Sequence, residues 1–129
     1  MRCLIDTHVL LWSLGKTSNL SAKTREILEN ADVLVSVVSW WELSIKFGLG
    51  KIELGKGTPE DLLKTTQEMN YVSLPLSESE VCSFHRLARI HKDPFDRMLV
   101  WQAIKNDIPL VSGDNRLSPY TSYGLQLIW

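Results

Sequence analysis

An α/β fold with a mainly parallel central sheet is predicted by three features of this chain. Short apolar runs, Cys3-Leu4-Ile5, Val33 to Val38 and Pro109-Leu110-Val111, alternate with longer segments of helical periodicity. Helix-start signatures, not tight hairpin turns, recur between the runs, which implies βαβ units with right-handed crossovers. Acidic residues then stand where the runs and helix starts meet: Asp6, Glu42, Asp96 and Asp114.

Each element has its own local warrant. Residues 2 to 5 read as a short buried strand. Residues 7 to 14 read as a helix, with Asp6 as N-cap and Gly15 as stop. Ser21 opens a second helix through about Asn30. The β-branched run Val33 to Val38 reads as a buried strand. Ser39-Trp-Trp-Glu42 has capping-box spacing and opens a helix to about Phe47, ended by Gly48-Leu-Gly50. Residues 51 to 57 form a loop. Thr58-Pro59-Glu60-Asp61 starts the next helix, with Pro in its first turn, and that helix ends near Asn70. Tyr71 to Leu74 is a strand closed by Pro75. Ser77-Glu-Ser-Glu80 opens a helix to about Ile90, and Asp93-Pro94-Phe95-Asp96 opens another to about Asn106. Leu110 to Ser112 and Leu125 to Ile128 are the last strands.

The chain has 129 residues, 44% of them hydrophobic, which suits one domain over residues 1–129 with a real core. A net charge of −1 excludes a grossly basic nucleic-acid binder but leaves room for a local basic strip. Cys3 and Cys82 lie far apart, so neither a zinc site nor a disulfide framework is indicated. Both read as buried thiols in a reducing cytoplasm. Asp6 interrupts the first apolar run too early for a signal peptide. No stretch reaches the ~20 apolar residues a spanning helix needs, so no membrane partner is expected.

The four acids each have a structural reading. Asp6 suits an N-cap, Asp114 a turn, and Asp96 gains from a helix dipole. Glu42 suits a capping-box partner of Ser39 or an i,i+4 partner of Lys46. Together they point further. The crevice beyond the strand C-termini is the usual ligand site of such a sheet. Carboxylates gathered there repel one another unless a cation sits among them. Oxygen ligands suit Mg²⁺ or Mn²⁺ rather than Zn²⁺. Such a site activates water against a phosphodiester. Asp93 reads as the N-cap before Pro94 with an electrostatic influence on the site. Thr7 and Ser112 flank two acids; each is a candidate contact to a phosphate or a metal-bound water, or a hydroxyl that satisfies backbone at a turn.

Leu4-Ile-Asp-Thr-His8, Ser39-Trp-Trp-Glu-Leu-Ser-Ile-Lys46, His91-Lys-Asp-Pro-Phe-Asp-Arg-Met-Leu99, Leu110-Val-Ser-Gly-Asp114 and Leu125-Gln-Leu-Ile-Trp129 together resemble a PIN-domain ribonuclease of the VapC toxin type. The resemblance spans the chain. It implies a three-layer α/β/α sandwich and a catalytic, metal-binding quartet of Asp6, Glu42, Asp96 and Asp114, with Ser112 beside the last acid. It also implies a Mg²⁺- or Mn²⁺-dependent endoribonuclease, restrained by a small antitoxin protein and commonly a homodimer. Water attack at phosphorus would leave a 5′-phosphate and a 3′-hydroxyl.

Arg86, Arg89, His91, Lys92 and Arg97 form a candidate phosphate strip; Arg86 and Arg89 read rather as a solvated helix face, Arg97 stands near the substrate path, and Lys92 is a further candidate substrate contact. Trp12, Trp41 and Trp101 fall in apolar helical patterns and read as core or interface. Trp40 reads as core, with stacking on a base as the alternative. Leu11, Trp12, Trp40 and Leu43 are candidate walls of a groove for an inhibitor, and His8 and His85 read as packing or surface residues. Two rival readings are a receiver-type phosphoacceptor and a non-catalytic PIN fold that only binds. The single Asp6 after the first strand counts against the receiver, and the intact quartet against the binding module.

Overall fold

Five short strands form one sheet in the computed structural model, which describes all residues from Met1 to Trp129. They are β1 (Arg2–Ile5), β2 (Asp32–Ser36), β3 (Val72–Leu74), β4 (Leu110–Val111) and β5 (Leu127–Ile128). Their order is β3-β2-β1-β4-β5, and every pairing is parallel. Ile5 of β1 registers with Val35 on one side and Val111 on the other. Six helices connect and cover the sheet: α1 (Thr7–Leu14), α2 (Ala22–Asn30), α3 (Val37–Gly48), α4 (Pro59–Glu68), α5 (Glu78–Ser83) and α6 (Pro94–Asn106). A 3₁₀ segment follows α5 at Phe84–Arg86, and a longer one runs from Asn115 to Tyr123.

The strands read as continuous apolar runs because both faces of the sheet are covered. Side chains alternate, so consecutive residues enter different cores. Leu4, Leu34 and Leu110 pack with Leu99, Val100 and Ala103 of α6 and with Leu117 and Tyr120. Cys3, Ile5, Val33, Val35 and Val111 pack on the other face with Val9 and Leu10 of α1 and Leu43 of α3. Two cores on opposite faces give the three-layer α/β/α sandwich. Removing any one of these Leu, Ile or Val side chains from water contributes about 1.5–3 kcal/mol.

The predicted helix caps form as the residues dictate. Asp6 accepts from Val9 N, Ser21 from Thr24 N, and Asp93 from Phe95 N and Asp96 N. Thr58 with Asp61 forms a capping box. Ser77 and Glu80 form another.

Several features differ from expectation. β2 ends at Ser36 and α3 starts at Val37, so Ser39 and Glu42 form no capping box. The cap is Ser36, whose hydroxyl receives Val38 N and donates to Gln102 Oε1 of α6. Gln102 is fully buried and also donates to Pro75 O. That tertiary bridge draws Val37 and Val38 out of the strand despite their β-branched side chains. The helix expected to run from Ser77 to about Ile90 instead stops at Ser83. Leu87 to Asp93 leave helical geometry, and Ile90 N and His91 N donate to the Tyr120 hydroxyl. Cys82 is exposed, contrary to expectation, whereas Cys3 is buried. Trp41, read as core or interface, is exposed on α3 and edge-on to Phe95, which removes the core reading.

β2 and β3 lie on one side of β1, and β4 and β5 on the other. The strand order therefore reverses between β1 and β4, which opens a crevice at their carboxyl ends. Receiver-type domains carry the order 2-1-3-4-5, so that rival is set aside. No helix is long and apolar enough to cross a membrane.

Candidate functional site

The reversal point places Asp6 at the end of β1 and Ser112-Gly113-Asp114 at the end of β4. Asp6 N donates to Val111 O at 3.2 Å, which ties the two strand ends together. Asp6 is buried, and burial raises its carboxyl above the usual range. Hydrogen bonds from Ser112 and from Val9 N partly oppose that shift. The Ser112 hydroxyl also accepts from Asp114 N at 3.1 Å. Ser112 thus braces both flanking acids from beneath, with its side chain fully buried.

Glu42 arrives from the second turn of α3 and is 3% exposed. Its Oε1 accepts from the Thr7 hydroxyl at 2.7 Å, and Lys46 Nζ stands 2.6 Å from its Oε2. Thr7 itself is buried, with Ser39 Oγ 3.1 Å away. Its hydroxyl is therefore committed to orienting Glu42. The i,i+4 pairing with Lys46 is realised, whereas the capping-box role is not.

Asp96 sits in the first turn of α6, just inside the Asp93 cap. Its carboxyl is pushed up to about 6 by burial and then by the negative charges of Asp93, Glu42 and Asp6. Asp6 and Asp114 line one pocket, and Asp96 lies within ligand reach of Asp114. Asp114 behaves oppositely, held down to about 2 chiefly by Arg116. Arg116 grips it with Nε on Oδ1 at 2.9 Å and Nη2 on Oδ2 at 2.8 Å. Sequence reasoning missed Arg116; its only signal was a basic residue two positions after the acid.

His91 lies inside the cluster and not in an outer phosphate strip. It is 7% exposed, with Nε2 3.4 Å from Asp114 Oδ2 and 3.7 Å from Asp96 Oδ2. One ligand atom each from His91, Asp96 and Asp114 falls within a mutual 4.8 Å. Arg97 is corrected in the other direction. It is buried, donates from Nη2 to Leu87 O and lies over the Phe84 ring, so it supports the 87–93 segment instead of standing in an exposed phosphate strip. Lys92, Arg86 and Arg89 are exposed.

Anions this close, two of them with raised proton affinity, make a hard, oxygen-rich donor set that fits Mg²⁺ or Mn²⁺. The strain gives a testable sign. Asp96 titrates at about 6 in the fold against 3.8 for the unperturbed group. Its protonation favours folding: the stability is full below the unfolded value and lost as pH rises through about 6. In EDTA, Asp96→Asn should therefore be more stable than the wild type above pH 6 by roughly 1–2 kcal/mol, after discounting for its partial exposure. The two should converge near pH 4. Denaturant titrations across pH 4–8 test this; a pH-independent difference would contradict it.

Of the proposed groove residues, Leu43 is buried and Trp40 is half-buried against the same core. Leu11 and Trp12 do line a surface groove of about 480 Å³, with Leu14, Leu54 and Leu62.

Comparisons with known proteins bear on the fold and the family. Ribonuclease VapC22 of Mycobacterium tuberculosis is 26% identical over 127 residues, spanning 98% of this chain and 97% of that protein. VapBC2 from Rickettsia felis, solved bound to a DNA fragment from its promoter, superposes with a TM-score of 0.71 at 14% identity over 99% of this chain and 98% of that one. DNA-bound VapBC from Salmonella typhimurium gives 0.68 at 18% identity, over 99% and 97% of the two chains. The PIN domain family model matches residues 3–121. The chain belongs to the PIN domain family.

Proposed function

We propose that this chain, as one domain, is a divalent-metal-dependent endoribonuclease acting as the toxin of a toxin–antitoxin pair. The observation that carries the reading is the meeting of acids at the sheet's reversal point: Asp6 and Asp114 line one pocket, Asp96 and Asp114 lie within ligand reach of each other, and the charges of Glu42 and Asp6 bear on Asp96. Those four would hold Mg²⁺ or Mn²⁺. When bound, the cation supplies an acidified water and offsets charge building on the scissile phosphate.

The chain's own residues prepare that site. Ser112 and Val9 N orient Asp6; Thr7 and Lys46 orient Glu42. The exposure of Lys92 at the start of the Asp93 turn, and of Arg116, supports contact with RNA phosphates. With their hydroxyls committed to the acids, Thr7 and Ser112 serve the substrate indirectly. The likeness to ribonuclease VapC22 and to VapBC assemblies supports an RNA substrate and an antitoxin partner. An exposed stripe of Val37, Trp41 and Ile45 on α3, continued by Leu49 at its C-cap, supports self-association as a homodimer. Two free cysteines accord with a cytoplasmic setting.

The test is direct. The purified chain should cleave RNA with Mg²⁺ or Mn²⁺ and stop in EDTA. Its products should carry 5′-phosphates and 3′-hydroxyls. Cleavage that survives EDTA, or that yields cyclic phosphates, would refute the mechanism.

A further inference from the structure

His91 offers a nitrogen to the acidic cluster at ligand-like distances, yet its hydrogen bonds argue against ligation. Its Nδ1 accepts from Asp93 N at 3.0 Å. A ring nitrogen that accepts an N–H carries no proton, so the neutral imidazole must carry its proton on Nε2. Nε2 is the atom that faces Asp114 Oδ2 at 3.4 Å and Asp96 Oδ2 at 3.7 Å. It meets Asp114 as a donor and carries the positive end of its N–H dipole toward Asp96. Turning the ring over would put Cδ2–H against Asp93 N and Cε1–H toward the carboxylates, leaving that amide unpaired.

The backbone behind the ring is held as firmly. The hydroxyl of Tyr120 accepts from His91 N at 3.0 Å and from Ile90 N at 3.1 Å, and donates to Ala88 O at 2.8 Å. Tyr120 is fully buried and His91 nearly so. Arg97 anchors the same segment through Leu87 O. The device runs from the core, through Tyr120, to a single N–H aimed between two carboxylates. The Asp93 amide accounts for Nδ1, whereas the Nε2–H is spent on the acidic cluster.

We propose that His91 is a positioning residue and not a metal ligand. Its Nε2–H holds Asp114 Oδ2 beside Asp96, so that the remaining lone pairs of both carboxylates point into the crevice. Arg116 fixes Asp114 from the solvent side, and His91 fixes it from the core side. The inference rests on the divalent-metal reading above and adds a residue to it.

Mn²⁺ binding to the purified protein tests it, measured by calorimetry and by electron paramagnetic resonance. His91→Phe keeps the ring and loses both hydrogen bonds. It should weaken Mn²⁺ binding by about 10- to 100-fold, the usual effect of removing a group that orients a ligand. His91→Gln restores an N–H near the Nε2 position and should recover most of that loss. Pulsed resonance of the Mn²⁺-loaded wild type should show no coupling of the size of a directly bonded imidazole nitrogen. Two-dimensional ¹H–¹⁵N spectra of the metal-free protein should identify the Nε2–H tautomer. A directly bonded nitrogen would overturn the proposal, as would wild-type Mn²⁺ affinity in folded His91→Phe. Absence of Mn²⁺ binding by the wild type would overturn this inference together with the metal reading; equal binding by both proteins would overturn this inference alone.

Discussion

Replacing Asp6 and Asp96 together by asparagine should lower RNA cleavage by at least about a thousandfold while leaving the protein folded. Removing a single preorganised group that stabilises a transition-state charge costs about 10²–10³, and here two cation-holding carboxylates go at once. Loss of fold is not the expected cause. Both carboxyls are strained by burial, and Asp96 also by three neighbouring anions, so neutral amides relieve the metal-free protein. In the Asp6→Asn change, the side-chain carbonyl still accepts from Val9 N as a helix cap. The melting temperature of the wild type should rise with Mn²⁺, because a ligand that binds only the native state stabilises it. That of the double variant should not. If both proteins respond alike, the acids hold no cation. Expressed without its partner, the wild type should arrest growth and the double variant should not. A toxic, folded double variant would remove these residues from the catalytic account.

The second large effect is expected at Tyr120, outside the quartet. Tyr120→Phe deletes one oxygen and strands three backbone groups: Ile90 N, His91 N and Ala88 O. Each unpaired buried group costs about 1–3 kcal/mol, reduced where water reaches it. We expect a loss of about 3 kcal/mol, equivalent to roughly 10 °C for a chain of this size. Mn²⁺ affinity should fall as well, because residues 88–93 carry His91 and lead into the Asp93 cap of α6. Denaturant unfolding and a Mn²⁺ titration measure the two effects separately. A stability change below about 0.5 kcal/mol would mean that the segment is held by packing alone.

Much of this protein is determined by its residues alone, because the interactions concerned are local. Asp6, Ser21, Thr58, Ser77 and Asp93 each find their amide partners within three residues, and all five cap the helices they were expected to cap. The apolar runs at residues 3–5, 33–35 and 110–111 are strands because unbroken burial on both faces needs them. The four acids stood out for the same reason: each sits at the end of a run or the opening of a helix.

Tertiary structure decided what depends on partners far along the chain. Val37 and Val38 became helical because Ser36 turns to Gln102, 66 residues away. The helix expected to reach Ile90 stopped short because Tyr120, 30 residues on, takes the amide of Ile90. Cys82 and Trp41 lie exposed because nothing in this chain covers those faces of α5 and α3, and periodicity cannot reveal a missing neighbour. Arg97 and His91 exchanged their expected places. The longer side chain turned inward to a carbonyl, and the imidazole reached an acid 23 residues away. Helix caps close within one turn of chain, whereas the meeting of Asp6 with Asp114 requires β1 and β4, from opposite ends of the sequence, to pair. The acids are therefore legible from their neighbours, but their convergence, and the groups that brace them, exist only once the sheet has formed.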